Sequence, residues 1–207
     1  MRTGTKSLLF GVHCFLLHPW FVAMAWRRLY GFPWDPRLWV AFIVHDWGYW
    51  GCRNMDDEEG EKHVELGAAI MGWLFDRHMG WSDLLFQYPS MSNKWHDFCL
   101  YHSRFYAKQA GKPFSRLCVA DKLSFAMTPR WLYLPMANWS GEIHEYMKLA
   151  EQRTAAGEPR YASMALNIST QQRWFEGVKT YMIRWCARHK NGANDTWTPN
   201  MKGHSAT

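Results

Sequence analysis

The chain has 207 residues, including 14 Trp, 12 Phe and 12 Met, with a formal charge of +6 and a sequence pI of about 9.1. That length supports one domain with a full core, and the aromatic content predicts a bulky interior or an aromatic-lined pocket. The positive balance favours anionic partners (phosphorylated small molecules, nucleic acid or an acidic membrane surface), while five widely spaced cysteines with no CxxC pair argue against a disulfide framework and fit reduced thiols in the cytoplasm.

Residues 1–6 read as a loose start, and a helical pattern runs from Ser7 to about Tyr30. Its apolar stretch from Leu8 to Trp26 contains His13, His18 and Pro19, ends in Arg27-Arg28 and lacks a small-residue cleavage site. It therefore reads as a buried, ligand-bearing helix rather than a membrane span or signal peptide. His18, Val22, Ala25 and Leu29 share one face. On a continuous helix His13 points about 140° away from His18, so only one of the two faces a common site, with His13 as the substitute. Gly31-Phe32-Pro33 breaks the helix. Asp35 caps the next one, with Pro36 in its first turn, and that helix runs to about Asp46.

Gly48, Gly51 and the acidic run Asp56-Asp57-Glu58-Glu59 form a loop. The run reads as a solvated turn entering a helix whose dipole suits negative charge. That helix, Glu61 to about His78, places His63, Leu66, Gly67, Ile70 and Leu74 on one face and ends at Gly80. Residues 81–92 read as irregular. A helix from Asn93 to Ala110 presents Trp95, Phe98, His102 and Phe105 together and stops at Gly111-Lys112-Pro113. Ser115 caps a helix on which Leu117, Asp121, Ser124 and Thr128 share a face. The Asp121 carboxylate follows the apolar Leu117-Cys118-Val119-Ala120 and needs a metal, an Arg or a Lys, because a buried unpaired charge is costly. Pro129 and Pro135 mark breaks, and further helices are predicted from Ser140 to Ala155 and from Tyr161 to about His189. Residues 191–207, rich in Asn, Gly, Thr and Ser, read as a disordered tail. No alternating strand pattern occurs, so the fold class is all-α, one helical domain over 1–190.

The stretch Phe42-Ile43-Val44-His45-Asp46-Trp47-Gly48 ends an apolar run in adjacent His and Asp. At a helix end both side chains can bend toward one ion, and imidazole with carboxylate suits iron, manganese, zinc or cobalt. Alone, such a pair is most simply a capped helix end. The ordered set His18 … His45-Asp46 … His63 … His102 … Asp121, however, resembles the HD-domain superfamily of metal-dependent phosphohydrolases over roughly residues 10–130. His18 with Val22-Ala23 and Ala25 is similar to that family's first helix, and Ala41 to Gly48 to its signature. His63-Val64-Glu65-Leu66-Gly67-Ala68 is similar to the third motif of its two-metal branch, and Ala120-Asp121-Lys122-Leu123 to its closing motif. The resemblance implies two divalent transition-metal ions (Fe, Mn, Co or Zn). His18, His45, Asp46 and Asp121 would bind one, and His63 and His102 the second, with Asp46 bridging. Two departures stand out. Tyr49 occupies the position where many members carry Lys, and a single His at 102 with no GYP motif sets the chain apart from cyclic-dinucleotide phosphodiesterases.

The implied chemistry is hydrolysis of a nucleotide or other small phosphate ester. Two cations about 3.5–4 Å apart activate water and absorb charge on the phosphoryl oxygens. Asp46, Lys122 and Arg104 form the catalytic group, the two cations holding substrate charge, with Lys108, Lys112, Arg116 and Arg130 as further candidates. His78, His96, His144, His189 and His204 read as structural or surface residues. Two alternatives remain. Mixed-valent di-iron oxygenases share the six-ligand pattern, and the basic, aromatic composition also suits a non-catalytic nucleic-acid or nucleotide-binding module, although no RNA-binding or zinc-finger motif is present.

Overall fold

The Asp35 carboxylate accepts the Arg37 backbone N–H at 3.0 Å, and Pro36 follows it in the first turn, so this helix starts where its capping chemistry dictates. The computed structural model describes residues 1–55, 58–76, 94–157 and 166–191. In chain order the helices are α1 (Thr3–Phe10), α2 (His18–Tyr30), α3 (Pro36–Val44), a 3-10 turn (Trp47–Tyr49), α4 (Glu58–Glu61), α5 (His63–Phe75), α6 (Lys94–Leu100), α7 (Arg104–Gln109), α8 (Arg116–Met127), α9 (Arg130–Ser140), α10 (Glu142–Ala155) and α11 (Gln171–His189). No strand occurs among the described residues, as the all-α reading expected. Among them, too, no helix is long and apolar enough to cross a membrane.

The buried residues of α8, from Leu117 to Ala126, leave it little exposed face, and it packs on α2 at one side and α11 at the other. Around it Val22 and Trp26 of α2, Phe42 of α3, Met71 of α5, Cys99 of α6 and Trp185 of α11 form one core. A second cluster, with Tyr133, Ile143 and Phe175, joins α9, α10 and α11. The segment beyond residue 130, outside the family resemblance, thus packs as helices against the carrier of Asp121.

The helix expected over Ser7–Tyr30 is two helices. It breaks at Gly11, and α2 begins at His18 with Pro19 in its first turn. The apolar linker side chains Phe15, Leu16 and Leu17 are exposed rather than buried. The helix expected over Asn93–Ala110 also divides. α6 ends at Leu100, and Ser103, whose hydroxyl accepts the Tyr106 N–H, caps α7. Pro135 does not break α9. Its ring and Trp131, whose carbonyl would have taken the missing N–H, both lie at the surface, where water can serve that carbonyl. Trp26, Trp95, Trp174 and Trp185 fill the interior as composition suggested, but Trp34, Trp50, Trp131 and Trp139 are exposed. The five cysteines, all described, are buried thiols with no disulfide. The expectations for Asp56-Asp57, His78, Gly80, residues 81–92, Tyr161, His204 and the 192–207 part of the tail lie outside the described residues.

Two glycines set the spacing at the centre. A Cβ on Gly48 would meet the His63 carbonyl oxygen at 2.0 Å, and one on Gly67 would meet the Val44 carbonyl oxygen at 2.7 Å and His45 Cα at 2.9 Å. The His45-Asp46 segment and the start of α5 therefore touch backbone to backbone. Gly48→Ala is expected to lower stability by about 1–3 kcal/mol through overpacking, read as a fall in the urea midpoint. An unchanged midpoint would show that this contact can open without cost.

Candidate metal centre

Five separate segments bring His18, His45, Asp46, His63, His102 and Asp121 together. His18 opens α2, where Pro19 starts the helix. His45 caps the C-terminus of α3, and Asp46 follows with φ −99° and ψ 0°, in the sparsely populated bridge region. His63 opens α5, His102 lies in the break between α6 and α7, and Asp121 is in the middle of α8. Their ligand atoms fall into two groups, His18–His45–Asp46–Asp121 and Asp46–His63–His102, the atoms of each lying within 4.8 Å of one another.

Asp46 divides its oxygens between the groups. Oδ2 lies 3.1 Å from His18 Nε2 and 3.3 Å from His45 Nε2, while Oδ1 lies 3.7 Å from both His63 Nε2 and His102 Nε2. Asp121 Oδ1 closes the first group, 3.1 Å from His18 Nε2 and 3.8 Å from His45 Nε2. Four ligands about 2.0–2.1 Å from a tetrahedral ion stand about 3.3 Å apart, so these separations suit a transition metal.

Three imidazoles are oriented by the same device. The Nδ1 of His45 faces the Phe42 carbonyl at 3.0 Å, that of His63 the Gly60 carbonyl at 2.6 Å, and that of His102 the Cys99 carbonyl at 2.5 Å. Each reaches back three residues. With Nδ1–H donated there, the neutral ring turns its Nε2 lone pair toward the centre. The Nε2 atoms of His63 and His102 stand 3.2 Å apart, and those of His18 and His45 3.3 Å apart. Lone pairs that close repel unless a proton or a cation lies between them. Asp46 Oδ2 is buried and lacks a well-aligned hydrogen bond, although His18 Nε2 lies 3.1 Å away. A buried carboxylate oxygen left in that state is costly. The donor set, its spacing and the orphaned oxygen all fit bound cations.

The electrostatics place protons among these groups: burial opposes charge on His102, but Asp46 and Cys99 outweigh it and hold His102 well above the usual imidazole range. Burial opposes charge on His18, but the Asp121 and Asp46 carboxylates outweigh it and raise its pKa to about 10. Burial also works against ionised Asp46 and Asp121, yet the surrounding imidazoles hold both well below the usual carboxylate range. Burial together with the neighbouring His102 pushes His63 down to about 3, so it stays a neutral donor.

A second layer supports the first. Tyr49, at the position where the family resemblance led us to expect Lys, stacks on His63 with ring centroids 4.1 Å apart and planes 6° from parallel. His13, treated as a substitute for His18, instead packs beside it, with centroids 5.5 Å apart. The break at Gly11 removes the angular relation that a continuous helix would impose. His13 Nδ1 bonds Ser7 Oγ at 2.8 Å and lies 3.4 Å from Glu142 Oε2. Glu142 is fully buried and takes the Tyr146 hydroxyl at 3.1 Å. Reading the sequence missed it. At the start of a helix its carboxylate matches ordinary dipole chemistry, and nothing local marks it as buried.

Lys122 lies beside Asp121 on the wall of a cavity of about 260 Å³, with Nζ 5.9 Å from the Trp185 ring centroid. The Arg104 guanidinium also stands near Trp185, 5.5 Å from that ring, but Arg104 is not part of the described cavity wall. His96 pairs with Asp97 at 3.0 Å, away from the centre. Comparison of the chain with protein-family models, curated proteins and solved structures found no match in any of the three.

Two outcomes are expected. Asp46→Ala should lose both ions by elemental analysis, whereas His63→Ala and His102→Ala should lose mainly one; full metal content in Asp46→Ala would remove the bridge. Second, a cation reaches His18 Nε2 only after its proton leaves, and that proton is held below about pH 10. Apparent affinity of the four-residue group should therefore rise with pH, about tenfold per unit from about pH 6 to about pH 9, measured by chelator competition. A flat profile would show that no proton is displaced.

Proposed function

We propose that this protein is a metal-dependent phosphohydrolase of the HD type, acting on a small phosphate ester. The observation that carries the proposal is the Asp46 carboxylate, with one oxygen among His18 and His45 and the other facing His63 and His102. A pair of Lewis-acidic cations in these groups would lower the pKa of water toward neutrality and absorb charge developing on phosphoryl oxygens. The protein's part is positional. Backbone carbonyls at Phe42, Gly60 and Cys99 each face the Nδ1 of an imidazole and so turn its Nε2 toward the centre. Asp121 joins the first group from α8, and Lys122, the next residue, is among those lining the cavity beside it. An anionic substrate there would meet Lys122 without displacing a ligand. Arg104, near Trp185 and outside the cavity wall, adds positive field rather than direct contact.

The test is phosphate release from a panel of nucleotides and simple phosphate monoesters, under argon and in air, with manganese, cobalt, zinc or iron. Release under argon is expected. Lys122→Met should raise KM about tenfold or more at unchanged metal content, because a charge-assisted hydrogen bond to the substrate is worth about 1.5–3 kcal/mol. Arg104→Met should do less. No release with any metal, together with O₂ consumption by the iron form on adding a polyol or organophosphonate, would move the protein to the oxygenase chemistry that the same six residues can support.

A further inference from the structure

The helices beyond residue 130 do more than pack against α8, because they wall the cavity that opens on the first ligand group. His18, Asp121, Lys122 and His13 stand at one part of its wall. From there the wall follows α8 through Ser124 and Phe125 to Thr128, a rise of about 10 Å over seven residues. The rest comes from Val12 before α2, from α9, α10 and α11 and from Leu166 before α11.

The wall chemistry is uneven. Positive charge and the ligand residues sit together. Farther along, Phe125, Leu149, Ala150, Leu166, Val178 and Met182 present carbon. Three hydroxyls there, those of Ser124, Thr128 and Tyr146, are committed to the protein. Ser124 Oγ donates to the Asp121 carbonyl at 2.6 Å, Thr128 Oγ1 to the Ser124 carbonyl at 3.0 Å, and the Tyr146 hydroxyl to Glu142. Trp174 and Tyr146 stack with planes 9° apart and present flat apolar faces. A nucleobase buried here would bring several ring and exocyclic acceptors, and the donor protons of Ser124, Thr128 and Tyr146 are already spent. Each polar group left unpaired costs about 1–3 kcal/mol. An alkyl or aryl body has no such cost and gains about 25 cal/mol for each Å² removed from water. Room is adequate as well, since an apolar cavity of about 150 Å³ holds a benzene ring and this one is about 260 Å³.

We infer that this cavity binds the apolar body of a phosphorylated substrate, making the substrate class the phosphate monoester of a hydrophobic alcohol rather than a nucleotide. The inference rests on the phosphohydrolase proposal for the reaction, but the binding site stands on the wall chemistry. In the reaction, water forms a new P–O bond as the ester P–O bond breaks. The leaving alkoxide takes up a proton equivalent to the one water gave up, so the alcohol and inorganic phosphate are the products. The phosphoryl end lies against Lys122 and the ligand group, and the carbon chain lies along α8.

The experiment is calorimetric titration of the manganese-loaded protein with n-alkylphosphonates from methyl to octyl and with adenosine 5′-monophosphate. The metal-free protein is titrated in parallel with ethanol, hexanol and octanol. Affinity should rise about threefold to fourfold per methylene until the chain outgrows the groove, and hexylphosphonate should bind more tightly than the nucleotide. Alcohols should show the same trend without metal. Ala150→Leu, which fills the cavity from α10, should flatten the trend while methylphosphonate binding is kept. Leu149→Ala, which enlarges the cavity, should shift the best chain length upward. Affinity independent of chain length in the parent protein, or tighter binding of the nucleotide, overturns the inference whether or not the variants fold. The two proposals fail separately. A chain-length trend without phosphate release upholds this site and removes the hydrolase, whereas nucleotide hydrolysis with no trend does the reverse.

Discussion

The centre depends on one carboxylate shared between two sets of imidazole nitrogens. Asp46 is 5% exposed, and its Oδ2 has no well-aligned hydrogen bond. Placing a carboxylate there among converging nitrogen lone pairs is unfavourable in a metal-free interior, where each buried polar group must find a partner. Bound cations would reverse the sign of that cost, turning the repulsion between close Nε2 atoms into coordination and giving Oδ2 a partner. In this view the ligand residues are not a decoration of the helical scaffold. Their shared demand for positive charge couples α2, α3, α5, α6 and α8 to one another.

The scaffold meets that demand with short-range devices. His45, His63 and His102 each return Nδ1 to a carbonyl three residues back. These residues occupy a helix C-terminus, a helix start and an interhelical break, where carbonyls are not all consumed by the helical ladder. Gly48 and Gly67 let the His45-Asp46 turn approach α5 more closely than any side chain would allow. Tyr49 then lies flat on His63 and limits its ring rotation. Lys122, a basic residue next to Asp121 on α8, lines the adjoining cavity.

The helices beyond residue 130 give the centre its surroundings. Glu142 reaches His13, the residue packed on His18, so the start of α10 is tied to the ligand layer through a buried hydrogen-bonded chain. The faces of α10 and α11 beside it are aliphatic and aromatic. A polar centre opening on such a wall would suit ligands with an anionic end and an apolar body, because each part would meet its own kind of environment.

Much of the centre was legible in the sequence because its ligands sit in local patterns. An apolar run ending in His45-Asp46, an α8 carboxylate following Leu117-Cys118-Val119-Ala120, and His18, His63 and His102 in apolar helical contexts are one-dimensional signals, and the structure brings all six together. The helix start at Pro36 followed from its capping residue Asp35 for the same reason, whereas α8 starts after Ser115 although that hydroxyl makes no capping bond. The breaks after Phe10 and Leu100 were missed although Gly11, Pro19 and Ser103 mark them, since the apolar periodicity ran straight across. What sequence alone determined is the inventory of donors, the all-helical class and the order in which the donors occur. Only the tertiary structure decided that Asp46 splits its two oxygens, that His13 pairs with Glu142 more than a hundred residues away, and that Lys122 rather than Arg104 lines the cavity. Those outcomes depend on distances between helices, which arise from packing against α8 and leave no periodic trace in the chain.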